Sequence, residues 1–298
     1  MTTMPRKVTV IGAGDIGCGW AALCASAGWP VTVFDASAEG LERAATDVPR
    51  RTRAQARSLL QAVQDSDWVI EAISEDAIAK QKLFGSIEQV ASPDTLLTSS
   101  SSGIPPAEIF ARCRRQDRCL VAHPLNPPEL IPLVEVVPAA RTSAAAVVRT
   151  QEYLRALGRM PILLKKPIPG YVVGRITAAV WRQCIDLVLE GVIDVDQLDR
   201  AVSLGPALGW AAAGPHLTYH LAAGDGGVTL FLQQLLGTFE SWWGQLATWQ
   251  RLEPEQQRAL IQSIERAYKS NIEQLREARD RRLGAILRVL EQARTHKA

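Results

Sequence analysis

No apolar run in the 298 residues approaches the length of a membrane-spanning helix, which needs roughly 20 such residues. The chain therefore reads as one that does not enter a bilayer. Neither sign of charge is in excess: 33 basic residues stand against 31 acidic ones. That balance removes the electrostatic argument for a nucleic-acid or anionic-membrane partner. Cysteine is scarce. Cys18, Cys24, Cys113, Cys119 and Cys184 form an odd set without a CxxC pair, which points to reduced thiols in the cytoplasm rather than a disulfide framework. No repeat or low-complexity tract is present, and the first strand begins by Lys7, leaving no room for a signal peptide. His216 and His220 have a metal-compatible spacing but no carboxylate or cysteine companion, so no metal is expected.

What remains is patterned. Short β-branched runs at 7–12, 30–35, 68–73, 95–100, 119–124, 133–137 and 161–164 alternate with stretches of helical period. Near-continuous apolar strands separated by helices build a mostly parallel sheet covered on both faces. After "KKPIPGY" the strand signals end, and 176–189, 196–202 and 254–293 read as helices. The expected fold class is α/β: an N-terminal doubly wound Rossmann-type domain over 1–167, then an all-helical domain over 168–298.

Gly12, Gly14 and Gly17 stand in G-x-G-x-x-G spacing, directly after one strand and at the start of an Ala-rich helix. A second strand ends in Asp35. In that context the glycines permit a tight turn, close approach of backbone amides to a pyrophosphate, and close helix–strand packing. The helix N-terminus then faces the phosphate charge. Asp35 would accept hydrogen bonds from ribose hydroxyls and repel a 2′-phosphate, so the expected cofactor is NAD rather than NADP.

The stretch "VAHPLNPPELIPLVEVVPA" places His123 at the end of one strand and Glu135 inside the next. An unpaired carboxylate buried in a strand is costly. Both placements make sense if Glu135 accepts from the imidazole, fixing the ring and leaving its other nitrogen for substrate. Pro124, Pro127, Pro128 and Pro132 stiffen the connection. A hydrogen-bonded core histidine beside an unrelated glutamate is the competing reading.

G-x-G-x-x-G, "VIEAISED", a serine run, "HPLNPP" and "LVEVV", in this order, resemble the 3-hydroxyacyl-CoA dehydrogenase family. Within it the chain is most similar in character to the L-carnitine dehydrogenase and L-gulonate 3-dehydrogenase (λ-crystallin) branch. The resemblance implies that His123 is the general base, Glu135 its partner and Ser102 the serine contacting substrate and nicotinamide. It places Glu75 and Lys80 near the cofactor, leaves Ser99 to Ser101 as a polar loop, and implies a homodimer. One departure concerns the family segment GF-[IV]-x-N-R, whose Asn helps hold the keto oxygen. Here the chain reads "GYVVGR", with Gly174 in that place.

The resemblance leaves two substrate classes and one other role. Asp35 to Glu71 spans only 36 residues, too few for the long helical excursion that covers CoA in CoA-using relatives. This favours a small free 3-hydroxy acid, carnitine- or gulonate-like, with Arg175 or Arg182 as cations for its carboxylate on spacing alone. Arg50, Arg51 and Arg53 keep open a CoA- or carrier-bound hydroxyacyl substrate. A nucleotide-binding structural protein with little activity is the alternative of another class. Trp242 and Trp243 suit either a ligand cover or a helix interface.

Overall fold

The computed structural model describes residues 4–47, 53–55 and 58–295. The chain divides into two compact units, Met1–Arg175 and Ile176–Ala298. In chain order the first holds β1 (Val8–Ile11), α1 (Asp15–Ser26), β2 (Val31–Phe34), α2 (Ala38–Asp47), β3 (Arg53–Gln55) and α3 (Leu59–Val63). There follow β4 (Trp68–Glu71), α4 (Ala77–Val90), β5 (Leu96–Ser99), α5 (Pro106–Ile109), β6 (Cys119–Pro124), β7 (Leu133–Pro138), α6 (Ala144–Ala156) and β8 (Met160–Leu163).

The strands form one sheet in the order β3-β2-β1-β4-β5-β6-β7-β8. Every neighbouring pair is parallel except β6 and β7. Seven of these strands match the apolar runs. The eighth, β3, was not expected, because "RAQ" has no β-branched residue; it pairs with β2 at the sheet edge. Arg50, Arg51 and the side chain of Arg53 lie outside the described residues.

Successive residues on a strand point to opposite faces, and here both faces are dry. Val8, Val10, Trp68, Ile70, Leu120 and Ala122 pack on one side with Trp20, Trp29 and Leu154 from the helices. Ile11, Val69, Leu97 and Val121 pack on the other with Phe84, Ile87 and Phe110. The buried indoles keep partners: Trp68 Nε1 donates to Thr98 Oγ1 at 2.9 Å, as a Trp in a core requires.

The second unit is helical. α7 (Val173–Leu189) starts in the first unit and continues into α8 (Val195–Leu204), α9 (Pro206–Ala213), α10 (Pro215–Ala222), α11 (Gly227–Trp243), α12 (Pro254–Ala267) and α13 (Ile272–Thr295). The single helix expected over 254–293 is broken after Ala267. Asn271 ends the interruption by accepting the Glu273 amide at 2.8 Å, a side-chain cap that starts a new helix. The buried apolar residues described here are Ile185, Leu198 and Phe231, whereas Trp181, Leu204, Trp242, Trp243, Ile272 and Val289 are more than half exposed. No helix among the described residues is long and apolar enough to cross a membrane.

Candidate active site

In doubly wound sheets the ligand crevice lies beyond the carboxyl ends of the strands, where the strand order reverses. Here β1 sits between β2 and β4, and the glycine loop follows it. Gly12 has φ +99°, and a Cβ there would run into the Ala72 carbonyl. A Cβ on Gly17 would strike the carbonyl of Gly12. Gly14 differs: the space beside it is open, and it caps α1 without any side-chain hydrogen bond. An open position at the start of a helix is what a dinucleotide pyrophosphate needs. Asp35 follows β2, accepting the Ala13 amide at 2.7 Å and the Ser37 amide at 2.8 Å. Its carboxylate thus touches the glycine loop, where a ribose would lie.

The end of β4 carries a buried polar knot. Glu71 accepts from Lys80 Nζ at 2.6 Å, from the Ile73 amide at 2.7 Å and from Ser99 Oγ at 2.5 Å. Burial pushes the Glu71 carboxyl up, and these donors offset only part of the shift. Lys80 also reaches Glu75 at 3.5 Å. Glu75 Oε1 in turn accepts from Ser101 Oγ (2.6 Å) and the amides of Ser102 (2.9 Å) and Gly103 (3.2 Å). Burial would raise Glu75, but the Ser101 hydroxyl, Lys80 charge and Ser102 amide hold it below its ordinary value. The polar loop read at Ser99 to Ser101 starts at the end of β5 and is turned inward. All three are buried, because two carboxylates and the Trp20 indole, which donates to Ser100 Oγ at 3.1 Å, need them as partners. Ser102 stays exposed at the tip.

β6 and β7 bring His123 and Glu135 directly opposite one another in an antiparallel register. His123 Nδ1 and Glu135 Oε2 are 2.8 Å apart, and both residues are buried. Glu135 Oε1 accepts the amides of Val172 (2.9 Å) and Val173 (3.1 Å). Burial alone would raise Glu135; the hydrogen bonds from His123 and the two amides hold it lower. With Nδ1 committed to the carboxylate, Nε2 is the nitrogen left to exchange a proton. The proline-rich link is pinned as well, since Arg159 Nη1 donates to the carbonyls of Pro128 (3.0 Å) and Glu129 (3.3 Å).

Gly174 lies beside the serine tip: a Cβ built on it would sit 3.8 Å from the Ser102 carbonyl, an ordinary contact. Arg175 is exposed. Arg182 donates to the Trp249 carbonyl at 3.3 Å. His220 Nδ1 accepts the Val228 amide at 3.0 Å. Two residues to which the sequence reading gave no role also belong here, Glu71 and Tyr171. The ring of Tyr171 lies 5.6 Å from the imidazole. The acid of "VIEA" and the aromatic after "PG" were the available signals.

Residues 7–58 and 49–167 match the 3-hydroxyacyl-CoA dehydrogenase NAD binding domain, and residues 170–263 match the 3-hydroxyacyl-CoA dehydrogenase C-terminal domain. A protein named L-carnitine dehydrogenase from Streptomyces coelicolor is 33% identical over 95% of this chain and 94% of its own. One named 3-hydroxyacyl-CoA dehydrogenase from Gibberella moniliformis is 35% identical over 76% of this chain and 75% of its own. A solved structure of 5-formyl-3-hydroxy-2-methylpyridine 4-carboxylic acid 5-dehydrogenase, described as an NAD+-dependent dismutase, overlays with a TM-score of 0.84. It is 29% identical and covers 97% of this chain and 99% of that one.

Proposed function

The chain belongs to the 3-hydroxyacyl-CoA dehydrogenase family, and from that premise we propose a small free 3-hydroxy acid, carnitine- or gulonate-like, as its substrate. It is an NAD-dependent dehydrogenase acting on a CH–OH group. One observation carries the proposed assignment of the chemistry: the His123–Glu135 pair, closed at 2.8 Å with the far carboxylate oxygen held by two amides.

Gly12, Gly14, Gly17 and Asp35 are the proposed dinucleotide contacts, with Glu75 and Lys80 at the nicotinamide end. NAD, when bound, supplies the ring that accepts a hydride from the carbinol carbon. His123 takes the hydroxyl proton on Nε2. Glu135 holds the ring and stabilises the imidazolium. Ser102, at the exposed tip, is the proposed hydroxyl contact to substrate. In the reverse direction the same nitrogen returns the proton to the ketone oxygen. Gly174 offers only backbone where the family pattern has an amide, so it leaves room beside Ser102 for a bulkier group on the substrate. Arg182 is already engaged with Trp249, so the substrate carboxylate is assigned to Arg175.

Two observations support a free acid over a thioester. Between β2 and β4 the described chain holds only α2, the three-residue β3 and the five-residue α3. The solved relative that covers nearly the whole chain is described as acting on a pyridine carboxylic acid. The domains are proposed as 1–167 for cofactor and 168–298 for substrate and dimerisation. The apolar side chains exposed on the helical unit support a second copy of this chain as the partner. The cytoplasm is the proposed compartment, a reading supported by the five free thiols.

Steady-state NADH formation from L-carnitine, L-gulonate and 3-hydroxybutyryl-CoA tests the substrate. Higher kcat/KM for a free acid is expected, and a strong preference for the thioester would overturn the proposal.

A further inference from the structure

Tyr171 combines two features that rarely coincide. Its φ is +46°, a left-handed conformation that is an outlier for a bulky side chain, and its side chain is fully buried. The neighbouring Gly170 also has positive φ, +74°, so the chain makes a tight left-handed double turn just before α7. Such strain persists only where the surroundings over-determine it.

The surroundings here are the reactive groups. The Tyr171 hydroxyl donates to the Ile104 carbonyl at 2.7 Å, two residues beyond Ser102. The Gly170 amide donates to the Gly103 carbonyl at 3.3 Å, one residue beyond it. The ring of Tyr171 lies 5.6 Å from the His123 imidazole at an interplanar angle of 58°. The next two amides, those of Val172 and Val173, are turned onto Glu135 Oε1. One residue therefore bonds the loop just beyond Ser102 with its hydroxyl, packs the imidazole with its ring, and aims the carboxylate's donors with its backbone. Burial pushes the phenol further up, which keeps the hydroxyl a neutral donor.

We infer that Tyr171 is a positioning residue that sets the serine tip against the His123–Glu135 pair. It touches no reacting atom; it fixes the separation and orientation of the groups that do. The catalytic part of this inference rests on the reading of His123 and Ser102 given above. Misplacement of reacting groups is expressed mainly in turnover rather than in cofactor affinity.

The test uses the full chain with Tyr171→Phe, which removes only the hydroxyl, and Tyr171→Leu, which removes the ring contact too. Tyr171→Phe is expected to lower kcat about tenfold, the worth of one buried neutral hydrogen bond, with NADH affinity unchanged. Tyr171→Leu should lower kcat further, so that Phe counts as a partial rescue. Turnover in Tyr171→Phe equal to wild type, whether or not Tm falls, overturns the role of the hydroxyl. Because a Leu variant that fails to fold leaves the near-isosteric Phe variant, the test survives.

A second readout needs no substrate: the NMR chemical shifts of the His123 ring protons at one fixed pH, assigned with His123→Gln. Tyr171→Leu should move them, because the aromatic ring 5.6 Å from the imidazole is lost, and Tyr171→Phe should leave them in place. Unmoved shifts in Tyr171→Leu overturn the ring contact as a positioning element. If no 3-hydroxy acid is turned over by wild type, the proposed substrate fails, while these shifts still decide the positioning role.

Discussion

At the residue scale, His123 and Glu135 make separable predictions. His123→Ala should cut kcat by about 10² to 10⁴, the usual worth of a general base, with NADH binding intact by fluorescence titration. A variant that turns over at near the wild-type rate removes His123 from the mechanism. Glu135 is held below the ordinary carboxyl value. Its contribution to stability is therefore complete above the unfolded value of about 4.3 and is lost as pH falls through the lower folded value. Glu135→Gln should shrink the acid-side drop in Tm, followed by circular dichroism; an acid limb identical to wild type would refute the sign. At Gly174, a Cβ would make only an ordinary contact with the Ser102 carbonyl, so the backbone there accepts a side chain. Gly174→Asn is expected to redistribute kcat/KM among 3-hydroxy acids, and unchanged values on every substrate would show that this position does not face the site. The His–Glu pair was legible in the sequence because each residue is anomalous in an apolar run. Glu71 was not, since its partners Lys80 and Ser99 are 9 and 28 residues away and only the folded sheet assembles them.

Elements were legible to the extent that their periods were clean. β1, the glycine turn and α1 could be read outright because strand, loop and helix signals abut. β3 escaped for lack of β-branched residues, and the break between α12 and α13 escaped because an apolar stripe runs through "RAYKSNIEQL" on both sides of it. That break is testable: Asn271→Ala removes the acceptor of the Glu273 amide and should cost about 1 kcal/mol, the typical value of an N-cap. Chemical denaturation would measure it, and an unchanged midpoint would mean that the cap is idle. The turn after β2 carries a second prediction. Asp35→Ser keeps a small acceptor but removes the charge, so the ratio of NADPH to NADH efficiency should rise. Equal use of the two cofactors by the wild type would already contradict the role given to Asp35.

For the whole molecule, the helical unit is the informative part. Its exposed Trp181, Trp242 and Trp243, each more than half accessible, are large apolar side chains that water solvates poorly. Sedimentation should therefore give twice the chain mass of 32.5 kDa, and Trp242→Glu with Trp243→Glu should shift the equilibrium toward monomer. A wild-type monomer at micromolar concentration would exclude the homodimer.

The antiparallel turn-back of β7 beside β6 has a consequence for how such a chain can diverge. Because side chains alternate along a strand, inserting or deleting one residue in either strand turns its side chains over and takes His123 or Glu135 off the face its partner occupies. Sequence drift can only preserve this strand pair or abolish it. Novelty must enter elsewhere, at Gly174 and through the helical unit, where a changed side chain leaves the ladder intact. A mutational library aimed at new substrates should leave 119–124 and 133–138 untouched and spend its diversity on those regions.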